Sequence, residues 1–262
     1  MKVVTVEEMR SLEKACEAEG ISTDTLMEKA GLAVAQAAWR LLPRGVPTSV
    51  VVLVGPGNNG GDGLVAARHL QSWGARVTAY LVAERKAPDP KLGLARDKGV
   101  RIISADKDTG LLALSEALAE ASVVIDAILG TGRARALEGT IKEVLDRVAL
   151  EKVKRPHLNI LALDLPTGLD ANTGQVDAST PRADVTVTLG YPKVGLYQFP
   201  GAAMVGRLEI VDIGIPAHLA EDIELELLTS AWLKDKLPTR PLDAHKGTFG
   251  RLLVVAGSRN YV

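Results

Sequence analysis

Short apolar runs alternate with helix-like stretches through most of the chain from residue 49 onward. Apolar runs of this kind are typical of strands buried on both faces, as in a parallel sheet with helices packed on each side. The predicted strands cover residues 50–54, 76–82, 100–103, 123–127, 160–165 and 185–189, with a candidate edge strand at 208–211. Helices are predicted between the first five strands, at 64–73, 91–98, 111–120 and 141–148.

Two further helices are predicted before the first strand. Thr5 and Glu8 have the spacing of a capping box, in which each side chain accepts from the other residue's backbone N–H at a helix start. A longer helix is predicted over residues 23–42, and Pro43 ends it. The fold class is therefore α/β, a Rossmann-like three-layer αβα sandwich with a mainly parallel sheet and two extra N-terminal helices.

The composition is that of a globular protein and excludes several functional classes. Of 262 residues, 47% are hydrophobic and 24% are charged, which argues against disorder and fibrous repeats. A formal net charge of −1 provides no basic field for nucleic acid or an anionic membrane. The apolar runs are also shorter than the roughly 20 residues of a membrane helix. With a single cysteine, Cys16, and no signal-peptide pattern, a soluble cytoplasmic protein is expected.

A glycine-rich segment, GPGNNGGDG at residues 55–63, separates the first predicted strand from the helix that follows. Its first six residues satisfy the dinucleotide fingerprint G-x-G-x-x-G, and Glu84 follows the next strand, where a ribose-binding acid belongs. Against a dehydrogenase, the glycines continue past the fingerprint, and Asp62 near the helix start would repel a pyrophosphate. Asn58 and Asn59 offer amide groups to a ligand instead. A structural alternative makes Asp62 a helix cap.

Two aspartates, Asp126 and Asp164, lie at the carboxyl ends of predicted strands, and a glycine-containing loop follows each of them. Because doubly wound sheets bind ligands at this edge, all three loops are expected to converge there. Two buried carboxylates with amide and hydroxyl oxygens suit a hard cation, acid–base catalysis, or both. The alternative is that each carboxylate only binds backbone donors of its own loop.

Several motifs resemble those of the NAD(P)H-hydrate epimerase family. They are GPGNNGGDG at 55–63 followed by Ala67-Arg68, DAILGTG at 126–132, DLPTGLD at 164–170, PKVG at 192–195, and LMEKAG at 26–31 in the second helix. The resemblance covers about residues 1–235. The tail, with a predicted strand at 252–256, resembles the start of the ADP-dependent dehydratase domain of bacterial bifunctional relatives. An epimerase domain is thus expected at 1–237, and a linker with the truncated start of a ribokinase-like domain at 238–262, without dehydratase activity.

The resemblance implies an isomerase that repairs damaged cofactor. Its substrate would be NADH or NADPH hydrated at C6 of the nicotinamide ring, and it would interconvert the R and S forms. The ring nitrogen can expel the hydroxyl to leave a planar iminium, and water can return to either face, so the reaction needs an acid and a base. Asp126 and Asp164 are the acids expected at the right edge of the sheet. Which of them acts on the substrate, and which mainly binds metal, stays open.

The same resemblance implies a potassium ion bound by Asn59, Asp126 and Thr167, where the family usually has Ser in place of Thr167. The residues implied to contact the hydrated cofactor are Asn58, Asn59, Gly60, Gly61, Asp62, Gly130, Thr131, Gly132, Arg133, Ala134, Arg135, Ala136, Asp164 and Lys193. Arg133 and Arg135 depart from the family pattern, and they either meet the cofactor phosphates or are exposed.

Two alternative functions are compatible with the same fold. A non-catalytic nucleotide-binding scaffold would have degraded loops, whereas the three loops here are intact. An NAD(P)-dependent oxidoreductase would need a catalytic Tyr–Lys or His pair, which the sequence does not provide. The expected partners are the small-molecule substrate and a C-terminal dehydratase domain where one is present, with no nucleic acid and no membrane; a homo-oligomer is also compatible with the sequence.

Overall fold

The computed structural model describes residues 1–131 and 136–257, and its centre is a sheet of seven parallel strands. The strands are β1 (Ser49–Val54), β2 (Arg76–Leu81), β3 (Arg101–Ser104), β4 (Val123–Ala127), β5 (Asn159–Leu163), β6 (Val185–Leu189) and β7 (Arg207–Val211). Their order is β3-β2-β1-β4-β5-β6-β7, so the direction of winding changes between β1 and β4. The predicted α/β fold is confirmed, and the loops after β1 and β4 flank the point where such sheets bind ligands.

Helices cover both faces of the sheet. They are α1 (Val6–Ala18), α2 (Thr23–Leu41), α3 (Asn58–Ser72), α4 (Pro90–Asp97), α5 (Leu112–Glu120) and α6 (Gly139–Lys154). A further helix, α7 (Ser230–Lys236), belongs to a separate compact unit. The predicted capping box is present, since the Glu8 N–H donates to Thr5 Oγ1 over 3.2 Å and the Thr5 N–H donates to Glu8 Oε2 over 2.6 Å. Within the described part of the chain, no helix is long and apolar enough to cross a membrane.

Helix α3 begins at Asn58, six residues earlier than predicted, so the expectation of a long loop through Gly63 is wrong. Glycine by itself disfavours a helix. Here the missing side chains allow close packing: a Cβ on Gly60 would overlap the carbonyl oxygen of Gly55, and one on Gly63 would lie 2.6 Å from the Cβ of Ala127. The close contact of the first turns of α3 with the strand ends therefore outweighs the low helix propensity of glycine.

Two large apolar layers form most of the core, one on each face of the sheet, and a third, smaller cluster includes Leu165 and Leu196. On strand β1, Val52 points into the layer formed with α1, α2 and α3, whereas Val51 and Leu53 point into the layer formed with α5 and α6. All three side chains are completely buried, as expected for a strand in the middle of a parallel sheet. The helices thus hold the carboxyl edge of the sheet between two packed layers.

The chain divides into two compact units, Lys2–Glu226 and a smaller one of Leu227–Val262 together with Met1. The sheet and helices α1 to α6 belong to the first unit, and α7 belongs to the second. The predicted strand at 252–256 is wrong, because residues 251–257 adopt no regular secondary structure. A lone apolar segment cannot form a strand without a partner to receive its backbone hydrogen bonds. The division into domains at residue 237 stays a prediction.

Candidate active site

A cavity of about 390 Å³ opens at the carboxyl edge of the sheet, within the unit Lys2–Glu226. Its walls come from the loops after β1, β4 and β5, the end of β6, and helices α1, α2 and α3. Its volume is within the usual range for small-molecule sites. The predicted site residues that line it are Asn58, Asn59, Asp62, Gly130, Thr131, Asp164 and Lys193.

Asp164 and Lys193 form a buried ion pair in this cavity. Lys193 Nζ donates to Asp164 Oδ1 over 2.5 Å, and the lysine side chain is only 1% exposed. Thr188 Oγ1 and the Leu189 N–H also donate to Oδ1, over 3.2 and 3.1 Å. All three donors act on one oxygen, so Asp164 Oδ2 has no hydrogen-bond partner among the described residues. The carboxylate is therefore fixed by one oxygen and available to a ligand through the other.

The backbone also contributes to the position of Asp164. This residue has φ 66°, in the left-handed region that few residues other than glycine adopt. Strand β5 consequently ends at Leu163, two residues earlier than predicted, and the chain turns toward the cavity. A non-glycine residue in this conformation is typical of functional sites, where surrounding structure stabilises it.

Two more carboxyl groups line the same cavity. Asp62, in the second turn of α3, is 7% exposed, and Glu13 on α1 is half-buried. Burial raises the pKa of Asp62 well above its ordinary value, and the nearby charges of Asp164 and Glu13 raise it further. Burial is also the main cause of the raised pKa of Glu13. Asp62 does not act as the N-cap of α3, since that position belongs to Gly57.

Asp126 occupies a different environment from Asp164. Its carboxyl group is 1% exposed and does not line the cavity. Oδ1 accepts from Thr167 Oγ1 over 2.7 Å and from the Ile128 N–H over 3.3 Å, while Oδ2 accepts from the Thr167 N–H over 2.8 Å. Burial raises the pKa of Asp126, and these hydrogen bonds oppose the rise. The side chain therefore connects the loop after β4 to the loop after β5.

The residues around Asp126 have the chemistry of a site for a monovalent cation. Every described donor to Asp126 is neutral, so the carboxylate has no cationic partner among them. The Asn59 side chain lies against Gly130, and its buried amide nitrogen has no hydrogen-bond partner. Rotation of the Asn59 amide group by 180° would exchange the two atoms and place its oxygen at the buried position that the nitrogen occupies. A single carboxylate with neutral oxygens suits potassium better than a divalent ion, and the described residues contain no cluster of three or more acidic, His or Cys ligands.

Arg85 stabilises the turn after β1 and was missed in the sequence analysis. Its guanidinium donates to the carbonyl oxygens of Gly55 and Gly57, and it forms a 2.5 Å ion pair with Asp89. The carbonyl groups of this turn are thus satisfied by a side chain from the loop after β2. No local motif indicates this contact, because it joins residues about 30 positions apart.

The structure brings together most, but not all, of the predicted site residues. Gly60 and Gly61 lie in the first turn of α3 and pack against neighbouring elements, while Thr167, like Asp126, lies behind the cavity wall. Ala136 is exposed and does not line the cavity. Gly132, Arg133, Ala134 and Arg135 lie outside the described residues.

Helix α1 contributes two cavity residues that sequence reasoning missed, Arg10 and Glu13. Arg10 also donates to the carbonyl oxygen of Thr131 over 3.2 Å, so it joins α1 to the loop after β4. Arg10 and Thr131 are 121 positions apart, and only the packing of α1 brings them together. The spacing of the apolar residues in α1 predicts which face of the helix is buried, but not which elements pack against that face.

A family model described as "YjeF-related protein N-terminus" matches residues 23–195. The chain belongs to this family. The match includes the turn after β1, both aspartate loops and Lys193, so it covers every element that forms the cavity except α1 and the segment around Ile213.

Similar proteins agree with this assignment. The chain is 42% identical to the "Bifunctional NAD(P)H-hydrate repair enzyme Nnr" of Thermofilum pendens and 38% identical to that of Moorella thermoacetica, over 100% and 98% of its length. It spans about half the length of these curated relatives, 49% of each, and matches their N-terminal half. The predicted family is thereby confirmed. The fold is also similar to that of yeast ynu0, YNL200c, with a TM-score of 0.72 and 26% identity over 87% of this chain and 96% of the yeast one.

Proposed function

We propose that this chain is an epimerase domain that interconverts the R and S forms of NADH or NADPH hydrated at C6 of the nicotinamide ring. The observation that carries the proposal is the buried Asp164–Lys193 ion pair, which faces a cavity next to the glycine-rich first turn of α3. The names of the relatives support a hydrated nicotinamide cofactor as the substrate class. The carboxyl group supports acid–base chemistry on it.

Asp164 is proposed as the acid–base group, in preference to Asp126. Epimerisation at C6 requires a proton to be given to the leaving hydroxyl and another to be taken from the water that returns. Lys193 fixes Asp164 Oδ1, while Oδ2 is available to the cavity. As a carboxylate, Asp164 also stabilises the planar iminium that forms when the hydroxyl leaves, because an anion in a buried site attracts a cation more strongly than it would in water.

Potassium is proposed as the resident cation. Asn59, Asp126 and Thr167 would hold it, with Thr167 offering its carbonyl oxygen, since its hydroxyl donates to Asp126 and accepts from the Leu129 N–H. When bound, the ion supplies a fixed positive charge beside the Asp126 carboxylate. The contribution of the three residues is positional: they hold the loops after β4 and β5 and the start of α3 in one arrangement around the cavity.

The wider role is also proposed from the relatives. In a longer bifunctional protein, this domain would supply the S form to an ADP-dependent dehydratase domain. What supports this is that the relatives are named bifunctional and that this chain spans about half of their length. A cytoplasmic location would suit the buried free thiol of Cys16, because thiols stay reduced there. Gly130 and Thr131, which line the cavity, are proposed to contact the substrate, and self-association stays a prediction.

The proposal is tested by mixing the chain with R-hydrated NADPH and a dehydratase specific for the S form. NADPH should appear from the R form much faster than the spontaneous rate, and the excess rate should scale with the concentration of the chain. A rate that does not depend on the chain would contradict the proposal. An Asp97→Asn variant, changed at an exposed position at the end of α4, is the matched control and should behave as the parent.

A further inference from the structure

Asp62 is the most unusual buried carboxyl group of the described residues. It is 7% exposed and lines the cavity, yet its carboxyl takes part in no hydrogen bond or ion pair with any described residue. Asp108, another buried aspartate, differs in this respect, because its carboxylate accepts from the Tyr80 hydroxyl and from the N–H groups of Ala113 and Leu114. The carboxyl oxygens of Asp62 are not among the fully enclosed atoms that lack a partner, so they are reached from the cavity that the residue lines. A carboxyl group held by no protein donor and open to a cavity is free to act on a molecule that binds there.

Two negative and two positive side chains act on Asp62, and the negative ones have the larger effect. Asp164 and Glu13 raise the pKa of Asp62, Lys193 and Lys91 lower it, and burial is the largest cause of its rise. Lys193 is already paired with Asp164, and Lys91 with Asp24 and Glu28. Neither lysine forms an ion pair with Asp62 within the described chain. This environment favours a neutral Asp62 beside the Asp164–Lys193 ion pair.

Epimerisation uses both faces of the ring. The hydroxyl departs from one face of C6, and the water that forms the other epimer arrives on the opposite face. A single carboxyl group on one wall of a cavity reaches one face well. Asp62 comes from α3 and Asp164 from the end of β5, so the two carboxyl groups belong to different walls of the same cavity.

Building on the proposed function, we infer that Asp62 is a second catalytic carboxyl group that works on the face of the ring opposite to Asp164. In one direction, protonated Asp62 gives its proton to the departing hydroxyl, which leaves as water while the ring nitrogen lone pair forms the C=N bond. Water then attacks C6 from the other face as Asp164 takes its proton. The reverse reaction exchanges the two roles. After each turnover Asp164 releases its proton to solvent water and Asp62 takes one up from it, so both carboxyl groups are restored and the substrate keeps its composition.

The test compares the parent chain with Asp62→Asn, Asp62→Ser and the control Asp97→Asn, using R-hydrated NADPH with the S-specific dehydratase. Both Asp62 variants should lose about 100-fold in kcat, the range for one acid–base group, while KM stays within threefold. Since no variant changes the equilibrium between the epimers, kcat/KM for the S-to-R direction, followed by NMR, should fall by the same factor. Asp97→Asn should match the parent.

Three results separate the explanations. Loss of kcat by less than tenfold in a folded Asp62 variant overturns the inference. A loss confined to KM overturns it as well, because Asp62 would then only bind substrate. Thermal unfolding identifies the folded variants, and the kcat criterion applies equally to Asn and Ser, so a folding defect in one leaves the other as the test. A parent chain without epimerase activity contradicts the proposed function itself, which is a different result from an active parent with an active Asp62 variant.

Discussion

Asp126 and Asp164 hold equivalent places in the fold and have different surroundings. Asp126 is the next-to-last residue of β4 and Asp164 directly follows β5, and a glycine-containing loop comes after each of them. Asp126 is enclosed, with both oxygens used by neutral donors from Thr167 and Ile128. Asp164 is paired with Lys193 through one oxygen and lines the cavity. The position in the sheet thus brings a carboxyl group to the carboxyl edge, while its neighbours decide whether it connects loops or lines the cavity.

The largest effect is expected from Asp164→Asn. The variant keeps the size of the side chain but cannot transfer the proton, so kcat should fall about 1000-fold, within the range of acid–base contributions. Binding of NADPH, measured by the change in its fluorescence, should remain within about threefold of the parent, because the amide still accepts from Lys193. An Asp164→Asn variant that retains more than a tenth of kcat would contradict the assignment of the acid–base role.

Removal of Lys193 measures how much the Asp164–Lys193 ion pair contributes to the stability of the folded chain. Lys193→Met removes the charge and leaves Asp164 buried with only Thr188 and the Leu189 N–H as donors. The free energy of unfolding should fall by about 3 kcal/mol, as when one member of a buried pair is removed. Urea denaturation measures this. The double variant Asp164→Asn/Lys193→Met, whose asparagine tolerates the left-handed backbone of this position, should be more stable than Lys193→Met alone. A less stable double variant would show that the pair is not coupled.

Asp126→Asn is expected to act on stability and cation dependence more than on chemistry. An amide NH₂ would face a donor from Thr167, so the free energy of unfolding should fall by about 2 kcal/mol. At saturating potassium, kcat should fall by only about tenfold, because the loops are less well held. Urea denaturation, and titration of activity with potassium chloride against sodium chloride, provide the measurements. Loss of kcat as large as in Asp164→Asn would remove the distinction between the two aspartates.

The sequence predicts the strands and the positions of both aspartates well, because local residue patterns determine them. The apolar runs locate β1 to β7 within a few residues, and the ends of β4 and β5 place both aspartates at the correct edge. The start of α3 was missed because the glycine propensity is overcome by contacts with strands far away in sequence. Similarly, Glu13 enters the cavity only through the packing of α1, and nothing near Asp126 or Asp164 in sequence shows which of them pairs with Lys193.

Asp62 is a third buried carboxyl group and differs from both of these aspartates. It lacks hydrogen bonds of the kind that Asp126 accepts, and it lacks a cationic partner such as Lys193, which pairs with Asp164. Its pKa is raised above the ordinary 3.8, chiefly by burial and next by the Asp164 charge. As the pH rises above 3.8, the unfolded chain releases this proton while the folded chain keeps it, so the group makes the free energy of unfolding fall until it ionises in the folded state as well.

Replacement of Asp62 by Asn should remove this fall. The free energy of unfolding of Asp62→Asn, relative to the parent, should therefore increase from pH 4 to pH 8, by about 1.4 kcal/mol for each unit by which the pKa is raised. Urea denaturation across this range gives the difference at each pH, and the exposed Asp97→Asn variant is the control. If the difference in free energy of unfolding between Asp62→Asn and the parent does not change with pH, Asp62 has the same pKa in the folded and unfolded chain.

The smallest effects are expected at Thr167. Thr167→Val keeps the shape but removes the hydroxyl that donates to Asp126 and accepts from the Leu129 N–H, which should lower the free energy of unfolding by about 1.5 kcal/mol. Thr167→Ser keeps both hydrogen bonds and should change stability by less than about 0.5 kcal/mol. Thermal unfolding of the two variants beside the parent measures this, and equal effects of Val and Ser would show that the hydroxyl contributes little.

The difference between the two aspartates is tested most directly by NMR exchange between the R and S forms of hydrated NADPH, followed with the parent, Asp126→Asn and Asp164→Asn at saturating potassium. Exchange should be well above the spontaneous rate with the parent, about tenfold slower with Asp126→Asn, and close to the spontaneous rate with Asp164→Asn. Exchange that persists in Asp164→Asn but stops in Asp126→Asn would reverse the two roles and contradict the account.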